Sequence, residues 1–206
     1  MPEAQVVDPE VSRAKFAREV ALHRADEARH RARGILLVDA VFPEAFALLF
    51  ARRVTPAALL AGVVLDFTNY DLRPPSVRFV DPFTREPLKA AQLGISMPRR
   101  LPAPELPPEF VQLAGQAAQG PVLNMLQSYG PDEFPFLCLP GVREYHDHPA
   151  HTGDSWLLHR GSGEGSLHFV LDQIWKYGLD PFDQYQITDV RVTVGGLAAA
   201  YERIPA

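Results

Sequence analysis

One cysteine, three methionines and two tryptophans are all the soft and indole side chains in these 206 residues. A lone cysteine leaves no disulfide within the chain and fits a reducing compartment, so the expected location is cytoplasmic. No apolar run approaches the roughly 18–20 residues that span a bilayer, and no basic-then-apolar leader opens the sequence, so no membrane partner is expected. Blocks of Lys and Arg are missing too. With a net charge of −5 and a pI near 5.8, the chain lacks the positive footprint of nucleic-acid binders, and a protein or small ligand is the expected partner. A 47% hydrophobic, 22% charged chain of this length supports one well-buried core, read as a single domain over 1–206.

Asp8-Pro9-Glu10 starts a helix, because Asp caps free amides, Pro suits the first turn and Glu complements the dipole. The helix is expected over 9–33, ending at Gly34. Its apolar face is thin (Val11, Phe16, Val20), which places it on the domain surface with His23 and His30 solvated. Residues 35–42 and 60–68 are aliphatic and β-branched and read as strands, whereas 44–51 fits strand or helix equally. Pro74-Pro75 launches an alternating strand, Ser76-Val77-Arg78-Phe79-Val80. Five prolines over 98–108 exclude regular structure there, a short helix is expected at 109–118, and 85–130 reads as an insertion or lid. Residues 134–139 form a short buried strand, 161–165 a flexible connector, 166–177 a helix with Leu167, Val170, Leu171, Ile174 and Trp175 on one face, and 184–194 a last strand.

The chemistry converges on one segment. Cys138 lies in Phe136-Leu137-Cys138-Leu139-Pro140, followed by Glu144-Tyr145-His146-Asp147-His148-Pro149-Ala150-His151, and five of the seven histidines fall between 146 and 168. One chemistry is nucleophilic: a thiolate activated by His146 or His148, with Glu144 or Asp147 orienting the imidazole or acting as base. The other is zinc, held by Cys138 with two of His146, His148 and His151, and Glu144, a third His or water as the fourth ligand. On an extended segment His146 and His148 share a side, and Pro149 can turn His151 to join them. Trp156 reads as a core anchor, and His159 and His168 as ordinary packing or hydrogen-bonding residues.

The order helix, strands, Pro74-Pro75-Ser76-Val77-Arg78-Phe79, Leu137-Cys138-Leu139, Trp156 and the helix at 167–177 resembles the ubiquitin-conjugating enzymes. The resemblance implies an α+β fold, an antiparallel β-meander flanked by helices, here with a long insertion. It also implies a cysteine that carries a modifier. The His-Pro-Asn tripeptide that precedes that cysteine in the family is absent, and Asn124 is the only Asn in the insertion. Cys138, Glu144, His148 and His151, with His146 as a competing match, also resemble the predicted metal-binding CEHH family of bacterial ubiquitin-like conjugation operons. The implied partners are a ubiquitin-activating-like enzyme and a ubiquitin-like modifier. The leading expectation is a transferase that accepts the modifier on Cys138. Its alternatives are a noncatalytic adaptor stapled by zinc and a small metallohydrolase, the last without a His-Glu-x-x-His signature.

Overall fold

The computed structural model describes residues 4–102 and 120–184. Asp8 caps α1 (Pro9–Ala25), its side chain accepting the Glu10 N–H at 2.9 Å. The single helix expected over 9–33 is two, because Asp26 leaves helical geometry before α2 (Glu27–Ala32) resumes and ends ahead of Gly34. Nor is the inward face thin. Ser12, Phe16, Glu19, Val20 and His23 are all buried along α1, and His23 and His30 are each 1% exposed rather than solvated. Their rings stack at 3.9 Å and 9°.

Four antiparallel strands follow in sequence order: β1 (Ile35–Val41), β2 (Glu44–Ala51), β3 (Ala58–Asp66) and β4 (Ser76–Val80). The ambiguous stretch at 44–51 is therefore strand. It sits between two neighbours and carries apolar residues on both faces, Phe46, Leu48 and Phe50 opposite the buried Ala45, Ala47, Leu49 and Ala51, so the alternation that marks a half-exposed strand is blurred. Register sets Ala45 opposite Leu65, Ala47 opposite Val63 and Leu49 opposite Ala61, while Leu65 pairs with Val77 and Val63 with Phe79. These residues belong to one core with Phe16 and Val20 of α1 and with Leu167, Val170, Leu171 and Ile174 of the helix described below. On the opposite face Phe46, Val64 and Val80 form a smaller cluster. Gly62 is required there, since a Cβ would meet the Phe46 ring at 2.7 Å and Val80 at 2.9 Å. The fold is α+β, an antiparallel meander with helices packed on one face.

The segment at 85–130 is partly core rather than a lid. Leu93, Ile95, Met97, Met125 and Leu126 join the main cluster, and Pro98–Arg100 (β5) pairs with Val122–Asn124 (β6) despite the prolines. Pro is tolerated in a two-stranded ribbon, where every strand is an edge. The helix expected at 109–118, and the strand expected at 184–194 beyond its first residue, lie outside the described residues. The expected strand at 134–139 contracts to β8 (Phe136–Leu137), which pairs with β7 (Leu126–Gln127) and packs against β4 without joining its sheet.

Two helices complete the description. The short α3 (Arg143–His146) lies against β4 and β8. The second, α4 (Leu167–Ile174), is capped by Ser166, whose hydroxyl accepts the Phe169 N–H at 3.1 Å, and continues as a π turn over Trp175–Leu179. Gly178 lies within that turn instead of stopping the helix. Ser166→Ala leaves this first-turn amide without its acceptor and is expected to cost about 1 kcal/mol. Urea unfolding of the two proteins measures it, and equal midpoints would show that the cap contributes nothing.

Candidate thiol site

Cys138 follows β8 directly, and its N–H donates to the Met125 carbonyl at 2.7 Å, which extends the β7–β8 pairing to the cysteine. The chain then turns at Gly141 and enters α3. Two neighbours on that helix lock it to the end of β4. Arg143, only 8% exposed, donates to the carbonyls of Thr68 at 2.7 Å and Pro74 at 3.2 Å, and Glu144 accepts from the Ser76 hydroxyl and, at 3.2 Å, from the Val77 amide. Burial pushes the Glu144 carboxyl up, against these hydrogen bonds.

After α3 the chain reverses. Pro149 opens a 3₁₀ turn (Pro149–His151) capped by His148, whose Nδ1 accepts the Ala150 amide at 3.1 Å. That turn returns His151 to the cysteine, with 3.3 Å between Cys138 Sγ and His151 Nε2. The thiol is half-buried, and burial pushes its pKa up; the imidazole stands at hydrogen-bond distance to take its proton. The ring of His151 stacks on Tyr145 at 3.9 Å.

Of the three histidines expected to gather, His151 alone reaches Cys138. His146 is helical, not extended, so it does not share a side with His148. Its Nε2 accepts the Gly141 amide at 3.1 Å, which leaves Nδ1 to donate to the Asp154 carbonyl at 2.9 Å. The ring of His148 lies 5.7 Å from Phe136, 6.1 Å from Tyr129 and 5.6 Å from His151. Asp147 pairs with Arg73 at 2.6 Å, and Asn124 accepts the Met97 and Leu126 amides.

Sequence reasoning missed the polar network behind the pair. Asp154 accepts from Tyr145 Oη at 2.7 Å and from His159 Nε2 at 2.6 Å, while the other nitrogen of His159 meets Glu164. The hydrogen bond to Asp154, reinforced by Glu164, raises the His159 pKa, and the bonds from His159 and Tyr145 lower that of Asp154. Of the two roles expected for it, packing or hydrogen bonding, His159 takes the second, bridging two carboxylates. The only sequence cue was an acid, Glu164, inside a glycine-rich connector five residues from a histidine. Trp156 is buried as expected, and its Nε1 donates to the Asp71 carbonyl at 2.9 Å.

Two cavities share Phe136, two residues before the cysteine, and Glu144. One cavity of about 370 Å³ lies beside β4 between Val77, Phe79, Leu88, Phe134 and Phe136, and a second of about 260 Å³ is lined by Tyr129, Asp147 and His148.

The family model described as Y4jH-like matches residues 7–182, a span that contains the sheet and every residue of this site. The chain belongs to the Y4jH family. It is 48% identical over 205 residues to the Sinorhizobium fredii protein y4jH, and the match covers 100% of both chains. In this Y4jH-family chain no helix among the described residues is long and apolar enough to cross a membrane.

Proposed function

We propose that the chain is a thiol carrier of a bacterial ubiquitin-like modification pathway, accepting the modifier's C-terminal acyl group on Cys138 and passing it to an amine. The observation that carries this reading is the 3.3 Å approach of His151 Nε2 to Cys138 Sγ on a half-buried thiol. The meander with helices on one face is the kind of scaffold that the resemblance implies.

In the first step His151 takes the thiol proton, and sulfur attacks the carbonyl carbon of the modifier's thioester on the activating enzyme. A new S–C bond forms, the old one breaks, and the activating enzyme's thiolate leaves. In the second step an acceptor amine attacks the Cys138 thioester, a base takes the ammonium proton, and the Cys138 thiolate leaves. Glu144 is committed to Ser76 and Val77, so His151 is the base in hydrogen-bond reach of sulfur.

Zinc would draw on the same residues. As placed they do not make its ligand set: Cys138 and His151 supply two donors, whereas both nitrogens of His146 and the Glu144 carboxylate are engaged elsewhere. Among the described residues no group of three or more His, Cys, Asp or Glu is arranged to hold a metal. The adaptor reading survives through the Cys138–His151 pair with His148 turned to join it.

Incubation with a ubiquitin-like modifier, its activating enzyme and ATP tests the proposal. The expected product is a thiol-sensitive adduct, absent from Cys138→Ala and converted to a thiol-resistant ester in Cys138→Ser. Loss of zinc and of thermal stability in Cys138→Ala, with adduct formation unchanged, would transfer the assignment to the adaptor.

A further inference from the structure

Asp154 is the junction through which the surroundings of the thiol are held. Its backbone N–H donates to the carbonyl of His151 itself at 2.9 Å, and its own carbonyl accepts from His146 Nδ1 at 2.9 Å. One carboxylate oxygen takes the Tyr145 hydroxyl, whose ring lies flat against His151, and the other takes His159, which Glu164 holds from behind. Four bonds therefore end on one residue, two of them leading to His151 by separate routes. Asp154 touches neither sulfur nor the reacting imidazole nitrogen.

We propose that Asp154 is a positioning residue for the Cys138–His151 pair, acting through the Tyr145 ring and the His151 backbone, with His159 and Glu164 as its brace. The inference rests on the carrier reading of that pair. Its physical content is that a stacked ring 3.9 Å away limits where the His151 imidazole can turn, and a hydroxyl fixed by a carboxylate limits where that ring can lie. Without Asp154 the Tyr145 ring is free to rotate, the imidazole spends less time at sulfur, and the thiolate fraction falls with it. An Asn at the same place keeps both contacts, since its amide oxygen accepts from Tyr145 and its amide nitrogen donates to a neutral His159 whose remaining N–H faces Glu164.

The readout is the rate at which Cys138, the chain's single thiol, is alkylated by iodoacetamide near neutral pH, taken with the melting temperature of each variant. His151→Ala sets the floor, expected about tenfold below wild type, because one unit of thiol pKa is a factor of ten in thiolate. Asp154→Ala is expected to fall about fivefold toward that floor, Tyr145→Phe about twofold, and Asp154→Asn to recover most of the loss. In a His151→Ala background Asp154→Ala should change nothing further. Wild-type reactivity in a folded Asp154→Ala protein overturns the inference, as does an equal slowing in both backgrounds, which is what a merely structural residue would give. If Asp154→Ala does not fold, wild-type reactivity in Tyr145→Phe overturns it instead. A His151→Ala protein as reactive as wild type removes the pair itself and this inference with it. Failure of the Asp154 and Tyr145 arms alone leaves the carrier reading standing.

Discussion

Lowering the pH from 7.5 to 5 is expected to remove about 2 kcal/mol of folding stability through His23 alone, rising to about 3 kcal/mol by pH 4. His23 is 1% exposed, stacked on the equally buried His30, and among the described residues neither of its nitrogens has a hydrogen-bond partner. Burial, then the neighbouring His30 and His168, bring its pKa down from 6.5 to about 4, against the pull of Glu27 and Asp26. The folded chain therefore resists a proton that the unfolded chain accepts. Stability from His23 is complete above pH 6.5 and drains as pH falls through the window down to 4. His30, which also faces Asp26, Arg29 and Arg33, is lowered by the same burial and adds in the same direction. His159 is raised by Asp154, so its contribution is present below 6.5 and fades as pH climbs, which opposes the trend. Urea titrations at several pH values measure the slope. His23→Phe keeps a flat ring against His30 and removes the titration, so its profile should flatten; a profile as steep as wild type would mean that the loss comes from elsewhere.

Gly141→Ala is expected to destabilise the chain by about 2–4 kcal/mol, the cost of a left-handed residue with a Cβ together with a backbone collision. Gly141 has φ +89°, and a Cβ there would lie 2.4 Å from the Gly165 amide nitrogen and 2.9 Å from the Glu164 carbonyl carbon. Neither atom belongs to a flexible side-chain end, so the loop at 161–165 must move, carrying Glu164 away from His159. Gly153→Ala is the matched control, because nothing lies within 4 Å of its Cβ position and its φ is not positive. Comparable unfolding midpoints for the two variants would show that the approach of the two loops is unimportant.

How far the sequence could be read depended on whether contacts were local. The β-branched stretches and Pro74-Pro75 before the fourth strand identified β1, β3 and β4 because period and turn chemistry act over a few residues. Along α1 the apolar residues alone make a thin stripe. Ser12, Glu19 and His23 complete the stripe with Phe16 and Val20, and Glu19 even caps the α4 side by accepting the Leu167 amide at 3.3 Å. Buried polar residues cannot be told from surface ones by type. The Cys/Glu/His cluster was visible, but its internal choice was not. His151 reaches sulfur because His148 caps the turn before it, while His146 is diverted by Gly141 and Asp154. Those choices depend on the brace from Asp154, His159 and Glu164, whose members meet only after the chain has folded back.

The isolation of β8 from the main sheet has a consequence for how the molecule opens. Hydrogen bonds from β8 and Cys138 go to 125–127, not to β4, so the arm bearing the thiol gains no ladder protection from the four-stranded meander. What fastens it is burial of Leu137, Leu139 and Val142 in the main core, the Arg143 amide on the Pro75 carbonyl, and the side-chain grip of Arg143 on Thr68 and Pro74 and of Glu144 on Ser76 and Val77. Such an arm forms its own cooperative unit, able to detach while the meander remains intact. Amides at 138–154 then exchange with solvent through partial opening, at a free energy set by these few contacts, and β2 and β3 exchange only when the whole chain unfolds.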